Sequence, residues 1–540
     1  MPSAPPAAAR PAKAVHPVDE VPPPLQLFAF GLQHVLAMYA GAVAVPLIVG
    51  GAMKLPPADL AYLITADLLI SGIATLIQCV GVWRFGVRLP LMQGCTFAAV
   101  APMVLIGTGS GGLPAIYGAV IVAGLAMVLL APVFGRLLRF FPPLVTGTVI
   151  LVIGLSLMPV AGAWVAGGEG AKDFGAPKNL ALSLFVLLVV IGVQRFAPPF
   201  LSRIAVLVGI VVGVLVAIPF GFTDFGGVGD ADWAGISTPF HFGAPTFEAG
   251  AIVSLLIVSL VSMTETSGDI IAVGEMTGRR AEPGTLADGL RADGVSTVLG
   301  GVFNTFPYTA FAQNVGLVGM TRVRSRWVVA AAGGMLVLLG LLPKLGAVVA
   351  AVPAPVLGGA GLVMFGTVAA SGLRTLSEVD FKGNHNLTVV AVALAVGLLP
   401  VGVPTVYDRF PDWFQTVMHS GISAGCLTAL VLNLLFNHLP GGKGSPEADG
   451  KPADEAAVSP VSPESPDSPD SSASPDPSTP PVPSAPPRPR RPPRPRPPQR
   501  TGSPSRSASR AAASRTWSRS PGKSASRSSL RSPLSFAVPR

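Results

Sequence analysis

The stretch FPYTAFAQNVG (306–316) decides how this chain is to be folded, because it breaks a run that should have been greasy. It places a proline, a tyrosine, a threonine and a pair of side-chain amides, Gln313 and Asn314, where a lipid-facing helix would carry leucine. The surrounding chain leaves little doubt about the setting. Of 540 residues half are hydrophobic and only 12% are charged, with a mean hydropathy of +0.59, whereas soluble domains carry about 25% charged residues. Apolar runs of about 20 residues, each long enough for a hydrocarbon core of about 30 Å, recur from position 28 to 437. The fold class expected is an all-α polytopic membrane protein.

Charge clusters and Gly/Pro punctuation divide these runs into about fourteen spans. Lys and Arg alternate between connections. Arg84 with Arg88, Arg136 with Arg139, Arg195 with Arg203, Arg279 with Arg280 and Arg291, Arg322 with Arg324 and Arg326, and Arg374 with Lys382 follow the even spans, and the odd connections are poorer. By the positive-inside rule both termini are expected in the cytoplasm of a plasma-membrane protein. Fourteen spans split into two sets of seven, and an odd number per half forces an inverted repeat. The third span of the first half is then LPLMQGCTFAAVAP (89–102), the counterpart of the opening stretch, and it too is short, with Pro, Gly, Gln and Thr. Paired, interrupted segments at matching places in two halves point to a transporter's midplane site, since irregular backbone at that depth must line a cavity or be buried in protein. The alternative is a pair of kinked helices packed through small residues.

Ionisable residues inside the apolar runs narrow the site. In LLIVSLVSMTETSGDIIAVGEMTG (255–278), Glu265 and Asp269 are four apart and share a helix face. A carboxylate at membrane depth is costly unless paired, hydrated or protonated. Thr264, Thr266, Ser267 and Gly268 beside it suggest a polar, unwound stretch, with an interhelical hydrogen-bonded pair as the plainer reading. Asp293, read as about one turn into the ninth span, is either a boundary cap or a coupling group. Gln33 and His34 lie in the first apolar run, His34 reading as a structural or site-organising histidine, and Asp67 in the second has no role assigned. Cys79, Cys95 and Cys426 fall within apolar runs and read as small hydrophobes, with no disulfide or metal site. No GxxxxGK[ST] phosphate loop, HExxH or histidine cluster is present, so neither an enzyme, a cofactor nor nucleotide-driven transport is expected. An ion gradient or the solute's own gradient is left as the energy source.

QNVGLVGMTRV (313–323) resembles the signature of the nucleobase–ascorbate transporter family, the xanthine/uracil permeases, with Gln313, Asn314, Gly316 and Thr321 in the signature places. QHVLAMYAG (33–41), QGCTFA (93–98), TETSGD (264–269) and FPYTAFAQN (306–314) resemble further family blocks in the same order. The resemblance implies a 7+7 inverted repeat with a brief strand in each broken span. A core (about 28–134 and 249–350) would move like an elevator against a gate (about 143–220 and 354–437), within a homodimer. It implies that Glu265 and Gln313 bind the base, that Phe97 lies beside its ring with Phe311 and Asn314 close by, and that His34, Asp269 and Asp293 organise the site or couple protons. The chemistry agrees: a purine dione offers alternating N–H and C=O groups, a carboxylate accepts, and an amide does both. Gln313 in place of the Glu common among uracil-type members resembles the bacterial xanthine and uric acid permeases. The expected partners are therefore a purine base, protons and the bilayer, with no nucleic acid. The rivals are a uracil permease, a related inverted-repeat anion transporter and a passive channel.

The termini read differently. Residues 1–24, Pro-rich and polar and without a signal-peptide core, are expected to be a short flexible extension. Residues 441–540 turn to acidic Ser-Pro and then Arg-Pro-Ser sequence, their 16 Lys and Arg against 8 Asp and Glu supplying +8 of the net +9. Such a composition cannot bury a core and is expected to be a disordered cytoplasmic tail.

Overall fold

The computed structural model describes residues 16–439. The 441–540 tail and residues 1–15 of the extension lie outside them. Helix α1 (Pro24–Ala52) and α2 (Pro57–Val80) lead into a three-residue strand, β1 (Gln93–Cys95), then a 3-10 turn and the short α3 (Val100–Thr108). There follow α4 (Gly112–Leu137), α5 (Pro143–Ser156), α6 (Met158–Val165), α7 (Pro177–Phe196), α8 (Pro199–Arg203), α9 (Ala205–Ala217) and α10 (Gly226–Asp230). The second half runs α11 (Ala249–Thr277), α12 (Pro283–Val302), β2 (Tyr308–Ala310), α13 (Ala312–Thr321), α14 (Arg326–Gly340) and α15 (Pro343–Ala350). It closes with α16 (Ala354–Leu376), α17 (Asn386–Gly402), α18 (Asp412–Met418) and α19 (Gly421–Asn437). Among the described residues seven helical segments are long and apolar enough to cross a membrane, and α14 with α15 forms an eighth, bent by 82°. The chain is a multi-pass helical membrane protein.

The sequence dictates where helices begin. Pro57, Pro143, Pro177 and Pro283 each open a helix, where the missing N–H costs nothing and φ is already helical. Helices then pack across the two halves. α4 lies against α12, α2 against α14, and α5 and α7 against α16, while within the second half α17 lies against α19. Small residues set the approach of α4 to α12: a methyl group on Gly124 would meet the Gly294 carbonyl oxygen at 2.7 Å, and one on Gly294 would meet that of Gly124 at 2.8 Å. Van der Waals contact between backbones is the available adhesive where lipid is as apolar as leucine.

At the meeting of the halves, β1 and β2 pair antiparallel, with Gln93 opposite Ala310, Gly94 opposite Thr309 and Cys95 opposite Tyr308. The pairing extends past the strands, with Thr96 N donating to Pro307 O at 2.9 Å and Phe311 N to Met92 O at 3.0 Å. The two broken segments do therefore hold a strand each, followed by a short helix. All six strand residues are buried, the condition under which irregular backbone survives at membrane depth.

Three expectations need correction. The TETSGD stretch is not unwound: α11 is continuous from Ala249 to Thr277. Thr264 Oγ1 donates to Leu260 O at 2.8 Å and Ser267 Oγ to Met263 O at 2.7 Å, so the hydroxyls satisfy themselves on the preceding turn. Asp293 is not near the start of its span, because α12 begins at Pro283 and Asp293 stands at its middle, fully buried. Finally, the end of the N-terminal extension is docked. Val18 is buried, Asp19 is paired with Arg279 and Arg326, and Ser325 Oγ donates to Glu20 O at 2.5 Å.

Candidate functional site

The strand pair forms one wall of a cavity of about 490 Å³. Cys95, Thr96, Phe97 and Ala98 come from the first broken segment, Thr309 to Gln313 from the second, and Thr264, Glu265, Gly268 and Asp269 from α11. Thr146, Ile150 and Ile153 of α5 and Thr367, Val368, Ser371 and Thr375 of α16 close the opposite side. Five separate regions of sequence thus converge on one concave, mixed-polarity pocket of a size usual for small-molecule ligands.

Each element is stitched in place by hydroxyls. Thr266 Oγ1, one residue past Glu265, accepts from Ala310 N at 3.1 Å and lies 3.1 Å from Thr309 Oγ1, joining α11 to β2. Thr75 Oγ1 of α2 accepts from Gln93 N at 3.0 Å, and Thr297 Oγ1 of α12 from Tyr308 N at 3.1 Å. Thr96 caps the turn after β1 by accepting from Ala98 N at 3.2 Å. The ring of Phe311 lies over Gly94 so closely that a methyl group there would overlap it. Phe97 makes an edge contact with Phe365 of α16, ring centres 6.1 Å apart.

The structure brings Glu265, Asp269, Gln313, Phe97 and Phe311 to the cavity wall. Glu265 and Asp269 are part-buried and Gln313 is open to it. At the start of α13 the first N–H groups have no intrahelical acceptor, and both Ala312 and Gln313 line the cavity. Asn314, grouped with the base-contacting residues by sequence, is turned away. Its Nδ2 donates to His34 O at 2.9 Å and sits 3.1 Å from His34 Nδ1, and both residues are buried. The pair joins α1 to α13, and His34 is not among the residues that line the cavity. Gly316 is exposed, with open space where a side chain would stand. Thr321, the last residue of α13, donates to Leu317 O at 2.8 Å.

Asp293 also stands off the cavity. Gln78 Nε2 donates to Asp293 Oδ1 at 2.6 Å and to Gly289 O at 2.8 Å, while Gln78 Oε1 accepts from Val87 N at 3.0 Å. Gln78 was missed by the sequence reading, as were Thr75 and the hydroxyls of α16. A signal existed for α2: Asp67, Ser71, Thr75 and Gln78 recur at helical spacing and mark one polar, buried face. Among the described residues no group of three His, Cys, Asp or Glu is arranged to hold a metal ion.

Comparison with known proteins agrees with this geometry. The family model described as a permease family, Xan_ur_permease, matches residues 25–406. The uric acid transporter UacT of Escherichia coli is 47% identical over 423 residues, covering 78% of this chain and 88% of its own. The xanthine permease of Bacillus subtilis is 44% identical over 412 residues, covering 76% and 93%. Among solved structures, the murine anion transporter Slc26a9 in its inward-facing state shares the fold, with a TM-score of 0.51 at 12% identity, covering 76% of this chain and 68% of that one. The chain belongs to the xanthine/uracil permease family of membrane transporters.

Proposed function

We propose that this chain imports an oxidised purine base, xanthine or uric acid, by symport with protons. The observation that carries the reading is the convergence of Glu265, Gln313 and Phe97 on one cavity, from three elements in both halves of the chain. A carboxylate and an amide on different segments can each take one edge of a dione, and Phe97 can meet its flat face. Relatives at 47% and 44% identity named as a uric acid transporter and a xanthine permease support that substrate class. Proton coupling is supported by Asp269 beside Glu265 on the wall and by the buried Asp293 near it. A carboxyl at that depth is a default candidate for proton relay.

The motion we infer is an elevator-like shift between two bodies. Helices of 28–134 pack with those of 249–350, and helices of 143–220 with those of 354–437, which supports a core and a gate with the cavity between them. The same division supports fourteen crossings in a 7+7 inverted repeat, the Arg/Lys distribution supports both termini in the cytoplasm, and the family resemblance supports a homodimer as the working unit. The experiment is uptake of radiolabelled xanthine in cells lacking their own purine permeases. Excess unlabelled uric acid, hypoxanthine or uracil would compete, with and without a protonophore. Uptake blocked by the protonophore and by uric acid, but not by uracil, is expected. Uptake of labelled uracil instead would overturn the reading of Gln313 as a purine determinant, and uptake indifferent to the protonophore would overturn symport.

A further inference from the structure

The cavity wall depends on two strands of three residues each, and strands so short do not hold a geometry by themselves. Main-chain stitches from Thr75, Thr266 and Thr297 each fix one strand. Asp67 reaches both. It lies in α2, is fully buried and does not line the cavity. Its Oδ1 accepts from Cys95 Sγ at 2.6 Å, from the Tyr308 hydroxyl at 2.8 Å and from Thr305 Oγ1 at 3.1 Å. The Tyr308 hydroxyl lies 3.1 Å from Thr305 Oγ1 and 3.3 Å from the main-chain oxygen of Asp67. Among the described residues Asp67 Oδ2 has no hydrogen-bond partner.

Cys95 and Tyr308 are the residues that face each other across the strand pair. One carboxyl oxygen therefore grips the same rung from both halves of the chain. Phe97 follows Cys95 by two residues and Gln313 follows Ala310 by three, so the rung sets where both stand. A carboxyl oxygen is an acceptor able to take several donors at once; without it the Cys95 thiol loses its acceptor, and the Tyr308 and Thr305 hydroxyls are left with each other and the main-chain oxygen of Asp67.

We propose that Asp67 is a positioning residue for the substrate site. By accepting from Cys95 and Tyr308 together, it fixes the crossing of β1 and β2 and so the spacing of Phe97 from Gln313. The proposal rests on the site described above and extends it to a residue that touches no substrate. The thiol is more than a small hydrophobe: it is a hydrogen-bond donor on the cavity wall and a built-in reporter.

The test uses the full chain in membranes with Cys79→Ala and Cys426→Ala, which leaves Cys95 as its one thiol. N-ethylmaleimide labelling of Cys95 is timed with and without xanthine, and KM and Vmax for uptake are measured separately. Asp67→Ala should label several-fold faster, lose protection by xanthine and raise KM roughly tenfold, the loss expected for about 1.4 kcal/mol of binding, with Vmax changed less. Asp67→Asn keeps an acceptor oxygen and should stay within about threefold of the parent in KM, consistent with one neutral hydrogen bond weakened but not lost. If Asp67→Ala fails to reach the membrane, Tyr308→Phe removes a single hydroxyl from the same rung and should shift labelling and KM in the same direction.

Two results would overturn the proposal. One is labelling and KM unchanged in both Asp67→Ala and Tyr308→Phe. The other is Asp67→Asn failing as completely as Asp67→Ala while uptake loses its dependence on the proton gradient, which would make Asp67 a proton carrier. A parent protein that takes up neither xanthine nor uric acid would refute the proposed function. The labelling rates without xanthine would still decide whether Asp67 holds the strands.

Discussion

The two broken segments occupy matching places in the halves, yet they contribute opposite chemistry. After β1 the chain turns through Phe97, Ala98 and Ala99 into an apolar α3. After β2 it enters α13 through Ala312, Gln313 and Asn314. The first supplies an aromatic surface and a Thr96 cap; the second supplies an amide on the cavity and a second amide locked to His34. A common backbone device thus serves a half that shapes and a half that both shapes, through Phe311, and hydrogen-bonds, through Gln313. The polar half is further armed by α11, which brings Glu265 and Asp269 to the same wall.

Substitutions can break that division in order of expected damage. Glu265→Gln keeps the shape but replaces an acceptor-only group, and uptake kcat/KM should fall roughly a hundredfold or more, as for a site built around a substrate N–H. Gln313→Ala removes the amide of the second segment and should cost on the order of tenfold or somewhat more, chiefly in KM. Its selectivity should relax, read by competition with hypoxanthine and uracil. Phe97→Ala tests the shaping half. It should cost about fivefold to tenfold in KM, the worth of an aromatic contact, and leave the ranking of competing bases unchanged. A change in ranking with Phe97→Ala but not with Gln313→Ala would reverse the assignment of roles.

The smallest effect is expected far from the cavity. Burial pushes the Asp19 carboxyl up, but hydrogen bonds and charge from Arg279, and then Arg326, outweigh it and hold it below the usual carboxylate range. A depressed pKa means the pairing stabilises the fold above the ordinary range and loses that contribution as pH falls through the folded-state value. Asp19→Asn should therefore lower thermal stability in detergent at pH 7 by no more than about 1 kcal/mol, as for a part-exposed ion pair. At pH 3 the gap between variant and parent should shrink.

Much of the site was legible because membrane depth makes polar residues conspicuous. Glu265 and Gln313 stood out from apolar neighbours, and proline and glycine betrayed both interruptions, whereas Phe97 was singled out only by the family resemblance. Less legible were the choices hydrogen bonding makes. Nothing in TETSGD states that Thr264 and Ser267 will turn back on their own helix while Thr266 bridges to β2, and nothing in QN states that the second amide will face His34 and not the solute. Asp293 was misplaced because its helix begins at Pro283, ahead of the first sustained apolar residues. Gln78 hid in plain composition, since an amide that orients a distant carboxyl looks like any interfacial glutamine until α2 and α12 are brought together. The extension's last residues were read from proline content, but the arginines they meet lie some 260 and 307 positions away.

The cross-half pairing also governs how the molecule comes to exist. β1 leaves the ribosome long before β2, and Cys95 waits for Tyr308, 213 positions further along the chain. Until then α4 lacks the glycine-lined surface of α12 and α2 lacks α14. An N-terminal fragment ending before α11 thus has half of every key interface and no finished wall, and long-range pairing of this kind is slow and exposed to misassembly. Biogenesis is the late act of one half closing on the other, so split halves co-expressed as separate polypeptides should find each other where neither persists alone.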